Sequence, residues 1–504
     1  MRGEVSRFNA GGFHNNAGRP LWVNALALES NECIEETLAG RHQPDIISLT
    51  CTSLVDRVNA QARARNEQPL LGDTFSLARS PLVIAMWKPL AEAMGYGKRP
   101  LGWTDLRELA TDPRGWGKYG QPSYGSFKLG HNCPYTSPEG LLAVLGETAV
   151  GAGAVKTLTT SAIQAPATAA FVGDIEKAIA TYGDNPTLLG STLAAGGQKA
   201  MSAALLYENQ VYTINKHFGK PELLAIYPSE GTFYCDHPAG VVNRAWVTPE
   251  RRAAAGQFLQ FLRSPDEQAH TSDAGLRPAN SGTNQGAPFD ADHGLDPAPS
   301  LHAFEPPGPV EAAAAISLWH AQRKPADVVV VADDGGILIE KSIMIGMQSG
   351  LKGIVARCRS ADALSMLLTD REHRYLFKGA PLGPQRRSAG SAIDGLLADG
   401  DDSIFDGIAF AYDTLAARQT PGVLQAIVVI DANEDLQSGL NMEGLLQKLR
   451  AEHLKHPIAV YTIQYTDHAP IGPLQSISAA TGGRMFSATP EDLGRICNTI
   501  CQYL

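Results

Sequence analysis

The chain has 504 residues, of which 44% are hydrophobic and 19% are charged, and its net charge is −10. This length allows two or three domains with complete cores. The acidic balance argues against nonspecific nucleic-acid binding, which needs Lys and Arg to neutralise phosphates. No apolar run approaches the ~18 residues that cross a bilayer. We therefore expect no nucleic-acid partner and no membrane span in this chain.

The N-terminal half alternates strand and helix patterns. Residues 1–20 are polar and rich in Gly and Asn, and they lack the apolar core of a signal peptide. Residues 281–310 are dense in Pro and Gly, which is typical of a connection. A helix is predicted over 310–322, where Arg323-Lys324-Pro325 ends it. The predicted strands of this half are 21–26, 45–49, 82–86, 203–207 and 223–227.

The C-terminal part alternates more regularly, which predicts a mostly parallel sheet with helices on both faces. Its predicted strands are 328–331, 375–378, 426–430 and 458–465. Its predicted helices are 339–358, 403–417, 442–453, 472–481 and 490–503. The sequence thus predicts a domain over residues 1–284, a connection with a short helix over 285–325, and a second domain over 326–504.

The second domain opens on a β-branched apolar run, residues 326–332, that is typical of a buried parallel strand. Asp333 and Asp334 follow it directly, with two glycines after them. Carboxylates just past the carboxyl end of a parallel strand lie where open α/β sheets place their ligand sites. This turn is therefore a candidate site.

Further segments follow this strand in a fixed order: Gly-Asp-Asp-Ser-Ile-Phe-Asp-Gly at 400–407, an apolar strand ending in Asp-Ala-Asn-Glu-Asp at 426–435, a strand at 458–463, and Ala-Thr-Gly-Gly-Arg-Met-Phe at 480–486. With this ordered set, residues 326–504 resemble the von Willebrand factor A family. The resemblance implies a doubly wound, Rossmann-like fold that binds a protein partner. In that family Mg²⁺ or Mn²⁺ is held by Asp-x-Ser-x-Ser, a distant Thr and a distant Asp.

Most of these ligand positions are altered here. Asp333 matches the first Asp, whereas the two Ser positions fall on Gly335 and Ile337, which carry no side-chain oxygen. The Thr position falls on Asp402, and the last Asp falls on Ala432. One hypothesis is that the metal site is lost, so that no cofactor is expected. The alternative is an altered site in which Asp333, Asp334, Asp402 and Asp401 hold Mg²⁺, Mn²⁺ or Ca²⁺.

The N-terminal domain carries a second resemblance, on segments 43–48, 77–86, 102–106, 127–132, 137–140, 227–233 and 275–279. From residue 8 to 280 the chain resembles the type II periplasmic solute-binding proteins, which implies two lobes that close on a ligand. That family starts with an export signal or anchor, a strand and a helix before the segment matching Phe8-Asn9. We expect the first lobe to lack this strand and helix.

The resemblance places candidate ligand contacts at Ser30, Ser80, Ser137 and Gly140. Ser137 followed by Pro138 is typical of a helix N-cap, and the free amides of a helix start favour an anion or carboxylate. Alternatively, Ser137 is only a cap and Ser80 only a turn residue. The aromatic residues Tyr207 and Tyr212 are candidates for the cleft or for the core.

Motifs of catalysis are missing from the sequence. There is no Gly-x-Ser-x-Gly elbow, phosphate-binding loop, His-Glu-x-x-His or dinucleotide fingerprint, so we predict that the protein is not an enzyme. His131 has no partner at metal-ligand spacing and is interpreted as a loop histidine. The seven Cys form no CxxC pair, and Cys497 and Cys501 lie one turn apart on a predicted helix. We expect structural or free thiols.

Two hypotheses of function follow. The first is a non-enzymatic binding protein, with a small molecule or peptide bound by the N-terminal domain and a protein partner bound by a largely metal-independent C-terminal domain. The alternative is an intracellular scaffold or adaptor for an AAA+ ATPase. The resemblances imply an extracytoplasmic or cell-surface location, and the missing signal peptide leaves a cytoplasmic one open.

Overall fold

The computed structural model describes residues 2–153, 157–183, 185–279, 286–369, 373–379, 381–398, 403–418, 420, 422–453 and 455–501. It divides into two compact units. The first comprises residues 1–176 and 185–322, and the second comprises residues 177–184 and 323–504. The domain limits predicted from the sequence (1–284, 285–325 and 326–504) are not tested by this division and stay a prediction.

The elements before residue 323 are mostly short. In chain order they are α1 Arg2–Ala10, α2 Ser30–Leu38, β1 Ile46–Ser48, α3 Thr52–Ala64, β2 Leu71–Ser76, β3 Ala78–Trp87, α4 Lys88–Met94, α5 Trp103–Thr111, β4 Leu129–Asn132, α6 Pro138–Gly151, α7 Thr160–Ile163, α8 Pro166–Glu176, β5 Ile179–Gly183, α9 Pro186–Ala200, β6 Ala203–Tyr207, α10 Glu208–Phe218, β7 Leu223–Ile226, β8 Tyr234–Cys235, β9 Pro238–Val242, α11 Pro249–Leu262, α12 Pro265–Thr271, β10 Arg277–Pro278 and α13 Pro309–Gln322. Among them, β5 belongs to the second unit.

The first unit contains two separate sheets. In the smaller sheet, β9 lies between β1 and β2 and is antiparallel to both. In the larger sheet, β10, β3, β6 and β4 are neighbours in that order, and β7 and β8 also pair with β3. The strand β3 is almost wholly buried because its neighbours pair with it along its length. Its carboxyl half aligns Leu82 with Tyr207 in β6, which brings distant segments of the chain together.

The predicted strand over residues 21–26 is wrong. This segment is extended but belongs to no strand, and Trp22 and Leu26 are exposed. The side chain of Asn9 takes the place of a neighbouring strand: its amide donates to the Val23 carbonyl oxygen (2.9 Å) and accepts from the Val23 amide (2.8 Å). An apolar pattern alone does not supply the partner that a strand requires.

The elements of the second unit after residue 323 are longer and alternate regularly. They are β11 Ala326–Ala332, α14 Lys341–Arg357, β12 Ala363–Leu368, β13 Tyr375–Phe377, α15 Leu382–Asp394, α16 Ile404–Arg418, β14 Leu424–Asp431, α17 Met442–His453, β15 Ala459–Gln464, α18 Ile471–Ala480, β16 Met485–Ser487 and α19 Leu493–Ile500. The sequence did not predict β12, β16 or α15.

The six strands from β11 to β16 form one sheet in the order β13-β12-β11-β14-β15-β16. All neighbours are parallel except the edge strand β13. Every residue of β11 is buried, as expected for a strand covered on both faces. The strand order reverses between β11 and β14, so the crevice at their carboxyl ends is the usual ligand position of such a sheet.

Two sheets in the first unit and a doubly wound sheet in the second confirm the predicted fold class, a two-lobed solute-binding-like α/β domain followed by a Rossmann-like α/β domain. Among the described residues, no helix combines the length and the hydropathy that a membrane crossing requires.

Candidate functional site

The start of α6 is an N-terminus with unused hydrogen-bonding groups. Ser137 is the N-cap residue, with extended backbone (φ −121°, ψ 131°), and Pro138 is the first helical residue. The Ser137 hydroxyl is buried and makes no hydrogen bond with any described residue. Within the same described part of the chain, the amides of Glu139 and Gly140 also find no acceptor. Ser137 therefore has the backbone conformation of the predicted N-cap, but its hydroxyl accepts no hydrogen bond from the first turn of α6.

Glu139, the second residue of α6, is fully buried. One carboxyl oxygen accepts from the Tyr207 amide (2.8 Å) and the other accepts from the Asn132 side chain. Burial raises the pKa of Glu139 to about 8, because removing a carboxylate from water disfavours its charged form. At neutral pH the group is therefore largely uncharged and adds little repulsion against an anion at the helix start.

Two further buried polar side chains, Asn132 and Tyr207, have an atom without a hydrogen-bond partner among the described residues. Asn132 ends β4, and its Oδ1 atom is unpaired within the described residues. With Glu139 protonated, the Asn132 amide is better turned so that its oxygen accepts the carboxyl proton, which leaves its NH₂ group free instead. The hydroxyl of Tyr207 at the end of β6 is likewise buried and unpaired among them. Burial raises its pKa, with smaller contributions from nearby acidic groups that include Asp236.

Thr50, just before α3, and Cys235 relate the predicted contacts Ser30 and Ser80 to each other. The Ser30 hydroxyl bonds the Thr50 hydroxyl (2.7 Å) and accepts from the Thr50 amide (3.0 Å). The Cys235 thiol donates to the Thr50 carbonyl oxygen (2.8 Å). Cys235 also stands opposite Ser80 in the antiparallel pairing of β8 with β3.

Ser80 is in turn bonded to the start of α10. Its hydroxyl donates to the Asn209 side-chain oxygen (3.3 Å) and accepts from the Asn209 amide (3.2 Å). Asn209 lies two residues after Tyr207, whose amide bonds Glu139. Hydrogen bonds, the β8–β3 pairing and the short chain from Tyr207 to Asn209 thus relate Ser30 and Ser80 to the start of α6. The hydroxyls of Ser30 and Ser80 are already used within the protein.

Gly140 has a packing role at this place. A Cβ atom there would lie 2.2 Å from the Asn132 carbonyl oxygen and 2.6 Å from the Cys133 carbonyl carbon. Only a residue without a side chain lets the first turn of α6 rest on the end of β4. This close approach also fixes the distance between Asn132 and the free amides of the helix start.

The acidic turn of the second unit is arranged differently. Asp333 is buried, and its two carboxyl oxygens accept from the amides of Gly335 (2.7 Å) and Ala432 (3.1 Å). Its side chain therefore ties the loop after β11 to the loop after β14, across the crevice where the strand order reverses. Asp431 is the last residue of β14 and is also buried.

Asp334 turns to the neighbouring strand. Its Oδ1 atom accepts from the amide (3.2 Å) and the hydroxyl (3.4 Å) of Thr369, and its Oδ2 atom lies 3.9 Å from the Arg374 guanidinium. The hydroxyl of Ser403, at the start of α16, donates to the Thr369 carbonyl oxygen. Protein groups thus surround both carboxylates of this turn.

The residues present fit a metal ion poorly. Gly335 and Ile337 offer no side-chain oxygen, and Ala432 offers only its backbone. The predicted positions Asp401 and Asp402 lie outside the described residues. Within the part of the chain that the structure describes, no group of three or more His, Cys, Asp and Glu side chains could hold a metal ion. Whether a metal binds stays a prediction.

Comparison with known proteins gives the family. Residues 21–277, just over half of the chain, match the family described as bacterial extracellular solute-binding protein. The chain belongs to this family. The match covers Ser30, Ser80, the start of α6 and Asn209, so the site described above lies inside the solute-binding domain.

More distant similarities cover both units. An uncharacterized protein of Mycobacterium tuberculosis, found in two strains, is 23% identical over 454 residues. The match covers 84% of this chain but only 63% of the relative, so the chain spans less than two thirds of the length of these curated relatives.

Among solved structures, the ferric binding protein from Campylobacter jejuni is 13% identical, with a TM-score of 0.42 over 64% of this chain and 93% of its own. A periplasmic thiamin binding protein is 15% identical, with a TM-score of 0.42 over 63% of this chain and 90% of its own. A von Willebrand factor type A protein from Catenulispora acidiphila is 14% identical, with a TM-score of 0.32 over 36% of this chain and 42% of its own. Likeness at this level does not identify a ligand.

The sequence missed several residues of the site in this solute-binding protein. Asn132 and Glu139 stand in quoted motifs but were not singled out, and Tyr207 was left open between cleft and core. His131 is not a loop residue: it lies buried in β4 and bonds Glu176 (2.9 Å). The available signal was a buried Glu two residues after a Ser-Pro helix start, since a buried acid requires partners from elsewhere in the fold.

A separate surface depression of about 290 Å³ lies along β2, β9 and α11. Two arginines line it, but both are engaged: Arg252 donates to the Val242 carbonyl oxygen (3.2 Å), and Arg263 lies over the Phe75 ring (4.6 Å). None of its lining residues belongs to the network at α6. The unpaired buried groups, rather than this depression, identify the candidate site.

Proposed function

We propose that this chain is a non-enzymatic, extracytoplasmic solute-binding protein that holds the anionic group of a small solute at the start of α6. One observation carries the proposal: Ser137, Asn132 and Tyr207 each keep a buried polar group without a described hydrogen-bond partner. A buried polar group that lacks its hydrogen bond costs about 1–3 kcal/mol. Ser137 and Asn132 adjoin the start of α6, and the Tyr207 backbone bonds Glu139 there, so these unpaired groups are best explained as contacts of a ligand.

The charge of the ligand follows from the donors at this place. The amides of Glu139 and Gly140 and the Ser137 hydroxyl can donate, and an α-helix N-terminus favours negative charge. A protonated Glu139 lets the Asn132 amide offer its NH₂ group as well. A carboxylate or another oxyanion uses these donors together, which a neutral sugar does less well. The ligand could be a small molecule or the carboxylate end of a peptide.

The experiment is a thermal-shift and calorimetric screen of the purified protein. Sulfate, phosphate, carboxylic acids, amino acids and short peptides form the panel, with neutral sugars as the comparison. We expect at least one anion to raise the unfolding temperature, because a ligand that binds only the folded state stabilises it. If neutral sugars bind and no anion does, the proposed ligand class is wrong.

Two variants sharpen the test. Ser137→Ala removes a hydrogen bond to a charged group, which is worth about 1.5–3 kcal/mol, so the affinity should fall about 10- to 100-fold. Thr148→Val is the matched control, because Thr148 carries another buried hydroxyl without a described partner, three turns further along α6. It should leave the affinity unchanged. Equal loss in both variants would contradict a site at the helix start.

A specific observation favours a second binding role, for the von Willebrand A-like unit. We propose that it binds a protein partner without a metal ion. Ile339 and Leu436 lie on the two loops that Asp333 ties together, and they are 78% and 72% exposed. Glu340 and Glu434 beside them are exposed too. An apolar surface with acidic neighbours suits a partner with apolar and basic side chains.

Photo-crosslinking in the native host, with and without a metal chelator, tests this role. The double variant Ile339→Ser, Leu436→Ser should lose its crosslinked partner, and the chelator should have no effect. Ile345→Ser is the matched control, since Ile345 is exposed on α14 and belongs to neither loop. Chelator-sensitive crosslinking would contradict metal independence. Recovery of an AAA+ ATPase would instead support the intracellular adaptor hypothesis.

A further inference from the structure

Two helices of the second unit approach closely along a face of glycines. A Cβ atom at Gly346 would lie 2.6 Å from the Pro490 carbonyl oxygen, and one at Gly350 would lie 2.6 Å from Leu493 Cγ and 3.3 Å from Cys497 Sγ. These glycines are four residues apart on α14, so they share one side of the helix. Their missing side chains let the start of α19 lie directly against α14.

The same contacts align the two helices in parallel. Gly353 of α14 faces Asn498, and the Arg357 guanidinium donates to the Asn498 side-chain oxygen (3.3 Å). The next residues in this alignment are Cys358, at the end of α14, and Cys501, at the end of α19. Both are buried thiols, and Cys358 is close enough to Cys501 to raise the pKa of the Cys501 thiol.

We propose that Cys358 and Cys501 form a disulfide bond when the folding chain meets a disulfide oxidant. One thiolate attacks a sulfur of the oxidant disulfide and displaces one thiolate from it. The second cysteine then attacks the mixed disulfide and displaces the other half. Two protein thiols are oxidised, one oxidant disulfide is reduced to two thiols, and an S–S bond joins the ends of the helices.

The setting favours this pair over the other cysteines. Disulfides persist outside the cytoplasm, so the inference rests on the extracytoplasmic location in the proposed function. The bond would close a loop that spans most of the second unit, and long loops gain most from a cross-link in the chain-entropy account. The neighbouring Cys358 thiol and burial raise the pKa of Cys501, so the bond should form during folding more readily than in the folded protein.

The test is refolding of the full chain in a glutathione redox buffer, followed by alkylation, digestion without reductant and mass spectrometry. We expect a linked peptide pair that contains Cys358 and Cys501 and an intact mass lower by two hydrogens. The linkage should vanish in Cys358→Ala and in Cys501→Ala. It should persist in Cys497→Ala, the matched control, because Cys497 is buried one turn earlier on α19.

Other outcomes overturn the proposal. A bond between Cys497 and Cys501, or seven alkylated cysteines in the refolded protein, would each show that this pair does not form. A second readout is thermal unfolding, where the oxidised protein should unfold several degrees above the dithiothreitol-treated protein.

Thiol trapping in the host then tests location separately. If the pair links in vitro but is reduced in the host, the pairing stands and the extracytoplasmic location fails.

Discussion

The two strand-to-helix turns of this protein handle buried polar groups in opposite ways. At the start of α6, Ser137, Asn132 and Tyr207 keep groups that no described residue satisfies. After β11, Asp333 accepts two backbone hydrogen bonds and Asp334 accepts two from Thr369. The first turn is incomplete without a ligand or water, whereas the second is largely closed by the protein. Unmet hydrogen-bonding capacity therefore separates the two turns better than their acidity does.

The largest expected effect comes from breaking the geometry of the first turn. Gly140→Ala places a Cβ atom 2.2 Å from the Asn132 carbonyl oxygen, so α6 must move off the end of β4. We expect a loss of about 3 kcal/mol in the free energy of unfolding, at the upper end of overpacking effects. Urea denaturation measures it, and ligand binding should fall with it.

Gly256 provides the control for this substitution. It lies within α11, and a Cβ atom there would meet nothing within 4 Å. Gly256→Ala should be neutral or stabilise the protein by up to about 1 kcal/mol, because Ala favours the helix. If Gly140→Ala is as harmless as Gly256→Ala, the close contact between α6 and β4 does not exist in solution.

The second turn should depend on Asp333 for stability and not for metal binding. Asp333→Ala leaves the amides of Gly335 and Ala432 without their acceptor. Two buried donors without partners should cost about 2 kcal/mol in the free energy of unfolding. Asp333→Asn should cost less, since its amide oxygen still accepts one of the two bonds.

Measuring stability with and without metal ions decides whether the metal site at this turn is lost or altered. We expect the unfolding free energy of the wild-type protein to be the same with and without Mg²⁺ or Mn²⁺. Stabilisation by either ion that disappears in Asp333→Ala would support the altered metal site and would make the two turns alike. Calorimetric titration with Mg²⁺, Mn²⁺ and Ca²⁺ gives an independent measurement.

The sequence predicted the second unit better than the first for a physical reason. Long β-branched runs such as β11 fit only a buried parallel strand, and helices of regular length follow them. The extended segment at 21–26 has a similar apolar pattern, yet its hydrogen bonds come from the side chain of Asn9. A pattern of single residues contains no information about such a partner.

The candidate site was predictable only in part. Ser137-Pro138 identified the helix start because a cap is a local feature of the sequence. Whether a hydroxyl is free depends on distant residues: Ser30 bonds Thr50, 20 residues away, and Ser80 bonds Asn209, 129 residues away. The sequence therefore named three serines, and only the fold separates the one with a free hydroxyl.

The protonation of Glu139 gives a pH test of the first turn. An unfolded Glu titrates near pH 4.5, and burial raises the pKa of Glu139 to about 8 in the folded protein. Between these values the folded state binds more protons, so its contribution to stability is present below pH 4.5 and is lost as the pH rises to about 8. Glu139→Gln removes this pH dependence. Between pH 4.5 and 8, its free energy of unfolding should therefore rise relative to that of the wild-type protein by up to about 1.4 kcal/mol for each pH unit.

Urea denaturation of both proteins from pH 5 to pH 8 measures this difference. Glu36→Gln is the control, because Glu36 lies on the surface and bonds Arg41. Its stability should run parallel to that of the wild-type protein across this range. Parallel curves for Glu139→Gln as well would mean that Glu139 is charged at neutral pH, and the Asn132 amide would then keep its NH₂ group on the carboxylate.

The smallest expected effect compares two serines of the same site without ligand. Ser30→Ala removes a hydroxyl that bonds both the amide and the side chain of Thr50, so it should cost about 1 kcal/mol in the free energy of unfolding. Ser137→Ala should instead stabilise the free protein by about 1 kcal/mol, because it removes a buried hydroxyl that has no described partner. With a saturating ligand the order should reverse, since only Ser137 then loses a bond to the solute. If Ser137→Ala is the costlier change in the free protein, its hydroxyl already serves the fold, and the turn at α6 is as closed as the turn after β11.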